Sequence, residues 1–277
     1  MNSTRLAINT ITLNQAPFDE QVAAVAAAGF ANIELYLPAV KTWLTDHHRT
    51  PADARALLDH HHLTCIGGFE APVNAFGDDD ARARNHTLHR QNADLLATLG
   101  GDTALVIGAD GPAKDSDLRA EDALHHLGEQ LAHLADTLAP TVRLALEFNW
   151  SPLARSLRSA LVVVRAADHP RVGWLFDPAH YHCTSTKPDD ITPEAVATLF
   201  HVHVDNMRDR PGEHSNCNGD RVLPGDPRGI LDLDDLIARI EAAGYTGDYS
   251  IEMFDKDLWA LPAPDAARRA YEAMTTL

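Results

Sequence analysis

The 277-residue chain holds only three cysteines, Cys65, Cys183 and Cys217. Their small number and uneven spacing exclude a disulfide framework and a zinc knuckle. Cys65 lies inside an apolar run and reads as a small core residue. Positive charge is scarce as well: 23 Lys and Arg stand against 40 Asp and Glu, a formal net charge of −17. No basic run relieves that balance, so the chain repels a phosphate backbone and no nucleic-acid partner is expected. No apolar run approaches the ~18–20 residues a membrane span needs. The opening MNSTRLAINTITL has neither the apolar stretch nor the cleavage pattern of a signal peptide. No membrane partner and a reduced, cytoplasmic setting are the resulting expectations. No low-complexity linker or shift of composition divides the chain, so 1-277 reads as a single domain.

What the chain does contain is a repeat. Short apolar or β-branched runs recur at intervals of roughly thirty residues, each followed by a helix-period segment. The strand candidates are Arg5–Asn9, Asn32–Leu37, Leu63–Gly67, Ala104–Ile107, Arg143–Phe148, Val172–Asp177, Phe200–Asp205 and Tyr249–Met253. Near-continuous apolar runs, rather than strict alternation, mark parallel strands covered on both faces. Amphipathic helices are expected at Phe18–Ala28 and Leu231–Ala243, the latter with Asp232 or Asp234 as cap. Gly29, Gly101 and Gly244 each fall between a helix and a strand, where a left-handed C-cap belongs. Eight unbroken strand–helix units predict an α/β fold, a (β/α)8 TIM barrel. The rival, an open doubly wound sheet, would show a Gly-rich phosphate loop after its first strand, and NTITLNQ is not one.

Catalytic residues of such barrels sit at the carboxyl ends of the strands, because that rim carries the βα loops. The last four strand ends supply Glu147, Asp177, His203 and Glu252, each embedded in apolar sequence. A lone buried carboxylate costs several kcal/mol, so three that converge require a cation. Oxygen-rich ligation with one imidazole suits a single divalent metal ion, manganese first, with magnesium, cobalt or zinc as alternatives. His180 lies three residues beyond Asp177, on the loop above the barrel. Asp205 shares the strand face of His203, and serves either there or as a turn-initiating residue before Asn206. Glu34, alone in NIELYL, reads as a carboxylate behind the ligands or an inward core polar. The clusters His47–His48, His60–His62 and His125–His126 fall away from the strand ends and read as solvated surface.

At these residues the chain resembles the xylose-isomerase-like barrel family of sugar and polyol isomerases and epimerases. Glu147 in LALEF, Asp177 in DPAH, His203 in HVHVDN and Glu252 in SIEMF match that family's four metal ligands, and His180 matches its substrate-contacting histidine. Within the family the likeness to the inosose isomerases runs over nearly the whole chain; the stretch Asp220–Asp234 carries most of it. In the sugar epimerases an arginine three residues before Pro-Gly touches substrate. Arg221 in RVLPG fits that place, with Arg208 in reserve. Asn9, Glu34 and Asp205 complete the candidate substrate contacts. The epimerases carry a second glutamate soon after the fifth-strand ligand, and NWSPLARS lacks it, which argues against ketohexose epimerisation. Endonuclease IV, of the same family, needs further ligands and a DNA-binding surface that the acidic balance opposes.

The resemblance implies isomerisation or epimerisation of a cyclic or open-chain α-hydroxyketone, an inosose or ketose, by proton transfer through a metal-bound enediolate. Glu147 and Glu252 would act as acid and base as well as ligands, with His180 beside them. A metal-dependent lyase on the same barrel is the alternative, either like 3-dehydroshikimate dehydratase or cleaving C-glycosides. A polyol-binding barrel without catalysis is the second. Trp43, Trp150, Trp174 and Trp259 are candidate walls for a sugar ring or packing residues. The partner is then a small sugar or polyol ketone, and pairing with a second copy of the chain is left open.

Overall fold

The computed structural model describes residues 2–149 and 153–277. Eight parallel strands close into a barrel: β1 (Leu6–Asn9), β2 (Asn32–Tyr36), β3 (Thr64–Phe69), β4 (Gly100–Ile107), β5 (Val142–Glu147), β6 (Val172–Phe176), β7 (Leu199–Val204) and β8 (Tyr249–Ile251). Each strand pairs with its neighbours in sequence, and β8 closes on β1 through Leu6↔Tyr249 and Ile8↔Ile251. Every expected strand is present, with ends moved by a few residues. β4 alone begins well before its apolar run, since Gly101 and Asp102 are exposed and give no hydrophobic signal.

The helices follow from local chemistry. The helix Phe18–Ala28 has the expected bounds and ends on Gly29, whose φ of 104° is the left-handed conformation glycine adopts without penalty. The helix Leu233–Ala242 starts at Asp232, whose side chain accepts from the Asp235 amide at 3.0 Å, and Gly244 (φ 110°) follows it. Gly101 is not a helix cap. The helix Asp79–Leu99 runs straight into β4 through an extended Gly100 (φ −140°), so no left-handed residue is needed. No described helix is long and apolar enough to cross a membrane.

Three departures from plain barrel geometry shape the rim. Strand registers shift at Ile33/Glu34, at Cys65/Gly67 and at Trp174/Leu175, and such irregularities re-aim the side chains beside them. At Gly67 a Cβ would lie 2.4 Å from the Ala104 carbonyl oxygen, so only glycine allows β3 to approach β4 there. Beyond β7, Asn206–Met207 pairs antiparallel with Arg221–Val222, and this two-residue ribbon brings Arg221 back to the barrel mouth.

Candidate metal centre and its cavity

Each expected ligand stands at the carboxyl end of its strand. Glu147 is the last residue of β5, His203 the last but one of β7, and Glu252 follows β8 directly. Asp177 follows β6 and caps the short helix Pro178–Cys183, its Oδ1 accepting from the His180 amide at 3.1 Å. That bond leaves Oδ2 to face inward. The four residues offer atoms that all lie within 4.8 Å of one another. His203 Nδ1 sits 3.3 Å from Asp177 Oδ2 and 3.5 Å from both Glu147 Oε1 and Glu252 Oε2. Three carboxylates around one imidazole nitrogen suit a hard divalent cation with one nitrogen donor, and the residues fit the implied metal.

Charge supports the fit. Glu34, Asp205 and Asp177 are fully buried and Glu252 nearly so, while the only arginine among them is Arg221. Its guanidinium lies 3.0 Å from Asp177 Oδ2 and 3.1 Å from Glu252 Oε2, and is bonded to Asp205. One guanidinium cannot balance this many desolvated carboxylates, which outweigh burial and draw the His180 and His203 imidazoles toward their charged forms; a divalent ion would supply that positive charge instead. Burial drives the Glu147 carboxyl upward, yet His180 and His203 outweigh it and hold the group down at about 2. At Glu252 burial wins over the attraction of His203 and Arg221, and the carboxyl is pushed up to about 7. Burial also opposes the charged form of Asp177, but Arg221 and then His180 hold it below the usual range.

A cavity of about 470 Å³ opens above this cluster. Glu147, Glu252, His180 and Arg221 line it, facing an apolar wall that includes Phe69, Val106 and Phe254. Glu70 and Asp110 add two carboxylates to the far side. Glu70 is paired with Lys41 from the helix Leu37–Asp46. Asp110 accepts from the amides of Ala75 and Phe76 at 2.9 and 3.3 Å, and a Val73↔Ala109 bridge ties the loops after β3 and β4 together.

Several expected substrate contacts are placed elsewhere. Asn9, Glu34 and Asp205 do not line the cavity; each is fully buried and holds another side chain. Asn9 Nδ2 donates to Glu252 Oε1 at 3.1 Å, and Asp205 pairs with Arg221. Glu34 lies 3.2 Å from His203 Nε2, as a carboxylate behind the ligand would. Arg208 sits in the ribbon loop, its amide donating to the Asp220 carbonyl at 3.0 Å, and does not reach the cavity. Trp174 is fully buried in the core, Trp43 packs edge-on against Phe18, and Trp259 donates to the Ile11 carbonyl at 2.9 Å. None of these three lines the cavity; Trp150 lies outside the described residues. His47, His48, His60, His62 and His125 are exposed, as expected, whereas His61 and His126 are half-buried, the latter with Nε2 3.0 Å from the Ala75 carbonyl oxygen. His201 and Ser250 were missed. Both contact Glu34, and the one available signal was that His201 shares a strand face with His203.

The family model described as xylose isomerase-like TIM barrel matches residues 22–277. An inosose isomerase of Halalkalibacterium halodurans is 28% identical over 143 residues, which is 50% of this chain and 50% of that protein. The chain thus spans about half the length of the first curated relatives it matches, less than the motifs suggested. A 3-dehydroshikimate dehydratase of Pseudomonas aeruginosa is 27% identical over 268 residues, covering 92% of this chain and 39% of that protein. A crystal structure of IOLI protein with a binding zinc atom superposes with a TM-score of 0.86 at 21% identity, over 98% of this chain and 97% of that one.

Proposed function

The chain belongs to the xylose isomerase-like TIM barrel family, and we propose that it isomerises or epimerises an uncharged sugar or polyol α-hydroxyketone, such as an inosose or ketose, using one divalent metal ion. The observation that carries this reading is the convergence of Glu147 and Glu252, from β5 and β8, on one cavity beside His180 and Arg221. Glu147, Asp177, His203 and Glu252 would hold the ion, with manganese the first choice. When bound, it supplies Lewis acidity, stabilising negative charge as the proton beside the substrate carbonyl leaves.

The remaining steps fall to the chain's own groups. Two carboxylates flanking the substrate plane let one take the α-proton and the other return it at the neighbouring carbon or opposite face. His180 Nε2 lies 3.5 Å from Glu147 Oε2 and is placed to hold a substrate hydroxyl beside that carboxylate. Arg221 is pinned by Asp177, Asp205 and Glu252 and presents its remaining donor capacity to the cavity without having to be ordered first. Phe69, Val106 and Phe254 cover the apolar face of a ring and keep water from the reacting carbons.

The charge of the walls favours an uncharged substrate. Among the described residues lining the cavity Arg221 is the only Lys or Arg, and three carboxylates already claim it. At the far side Glu70 is already neutralised by Lys41, and Asp110 offers a substrate carboxylate no partner. The long match to a 3-dehydroshikimate dehydratase favours a second reading, a lyase that begins with the same proton abstraction. Both are tested by incubating the metal-loaded protein in deuterated water with inososes, ketohexoses and 3-dehydroshikimate. Deuterium at the α-carbon of a neutral ketone supports isomerisation. A new conjugated absorbance from 3-dehydroshikimate supports the lyase. Neither change with any substrate overturns both readings.

A further inference from the structure

We propose that Glu34 is the positioning residue of the metal centre: its carboxylate, clamped by Ser250 and flanked by His201, fixes His203 so that Nδ1 meets the metal as a bare nitrogen. The inference rests on the reading that Glu147, Asp177, His203 and Glu252 hold a divalent ion.

The two nitrogens of His203 face different surroundings. Nδ1 looks toward the three carboxylates of the metal cluster, and Nε2 lies 3.2 Å from both oxygens of Glu34. A neutral imidazole carries its hydrogen on one nitrogen only, and an ionised carboxylate can accept but not donate. Glu34 therefore draws that hydrogen to Nε2 and leaves the Nδ1 lone pair for coordination. Without it, a hydrogen on Nδ1 would be equally well received by the neighbouring carboxylates, and the ligand would be blocked.

Glu34 is itself held by one side chain and flanked by another. The Ser250 hydroxyl donates to its Oε2 at 2.7 Å, and His201 Nε2 lies 3.0 Å from the same oxygen. Ser250 stands directly across from His203 in the pairing of β8 with β7, so clamp and ligand are fixed by one register. The register shift at Ile33/Glu34 falls on the residue itself and re-aims its side chain. Glu34, His201, His203 and Ser250 are all 3% exposed or less, and neither Glu34, His201 nor Ser250 lines the cavity. A carboxylate sealed from substrate and solvent is disfavoured relative to a hydrophobic residue in the same place. Of its neighbours only the imidazole in front of it, His203, reaches the metal cluster.

Glu34, His201 and His203 could also be read as ligands of a second ion, since their atoms lie within 4.8 Å of one another. The cavity does not reach them, and the Ser250 hydroxyl already occupies Glu34 Oε2. The positioning role is therefore the better account.

The test is calorimetric titration of the metal-stripped protein with manganese(II) and cobalt(II), with the visible spectrum of the cobalt form as second readout. Glu34→Gln keeps the size but replaces the charged acceptor with a neutral amide, whose carbonyl oxygen holds the Nε2 hydrogen less strongly and whose NH2 opposes it. It should weaken metal binding about 10–100-fold and shift the cobalt spectrum, with an unchanged far-UV circular dichroism. Ser250→Ala, which leaves Glu34 in place but unclamped, should weaken binding less and in the same direction, and serves if Glu34→Gln does not fold. Wild-type affinity and spectrum in both variants overturn the proposal, as do two ions bound per chain. A wild-type protein that binds no ion rejects the metal centre on which the proposal rests, an outcome distinct from unequal partners within it.

Discussion

The barrel mouth is divided into two arcs. Strands β5 to β8 end in charge: Glu147, Asp177, His203 and Glu252, with Arg221 inserted between them by the ribbon. Strands β1 to β4 supply none of the four; β3 and β4 give Phe69 and Val106, and the loops after them give Ala71, Pro72 and Ala109 with Glu70 and Asp110, a mostly apolar wall braced by loop-to-loop hydrogen bonds. One arc is built to concentrate field and the other to set shape. On the proposed reading only the charged arc takes a cation, so the two should fail in different ways when altered.

The largest effect is expected in the charged arc. Glu252→Gln removes one member of the proton-transferring pair and should lower kcat about 10²–10⁴-fold, with the fold intact by circular dichroism. Activity like wild type in that variant would remove Glu252 from the reaction. Next, Arg221→Met leaves Asp177, Asp205 and Glu252 without their buried counter-ion. The metal-free variant should lose about 3–5 kcal/mol in urea unfolding, and saturating divalent metal should restore part of it. An equal loss with and without metal would mean that the guanidinium and the ion do not share those oxygens.

The shape arc should answer more quietly. Phe69→Leu trims the wall without touching a ligand and should raise KM by up to about fivefold, roughly 1 kcal/mol of lost apolar contact, while metal affinity stays unchanged. A fall in metal affinity would join the two arcs that are separated here. The smallest effect is reserved for the exposed histidines. His47→Gln together with His60→Gln should leave the metal-to-protein ratio and turnover at wild-type values, checked by elemental analysis and by the same assay.

The charged arc was legible in the sequence because an ionisable residue closing an apolar strand is conspicuous, and four in succession point to one place. The shape arc was not, since Phe69 and Val106 look like any strand residues and Glu70 and Asp110 like any loop acids. Asn9 and Asp205 were read toward substrate, and the structure places each against another side chain. Their strand positions aim them toward the centre, but whether they meet substrate or another side chain depends on what fills the gap: Glu252 for Asn9, Arg221 for Asp205. His201 was hidden among 16 histidines. Gly101 misled because an exposed glycine beginning a strand carries the same local signal as one ending a helix.

The most direct measurement is the metal-to-chain ratio of the purified protein after dialysis against manganese(II), beside that of Asp177→Ala. The shared site predicts one ion per wild-type chain and essentially none in the variant. A wild-type ratio of zero, or a ratio that Asp177→Ala leaves at one, would contradict it.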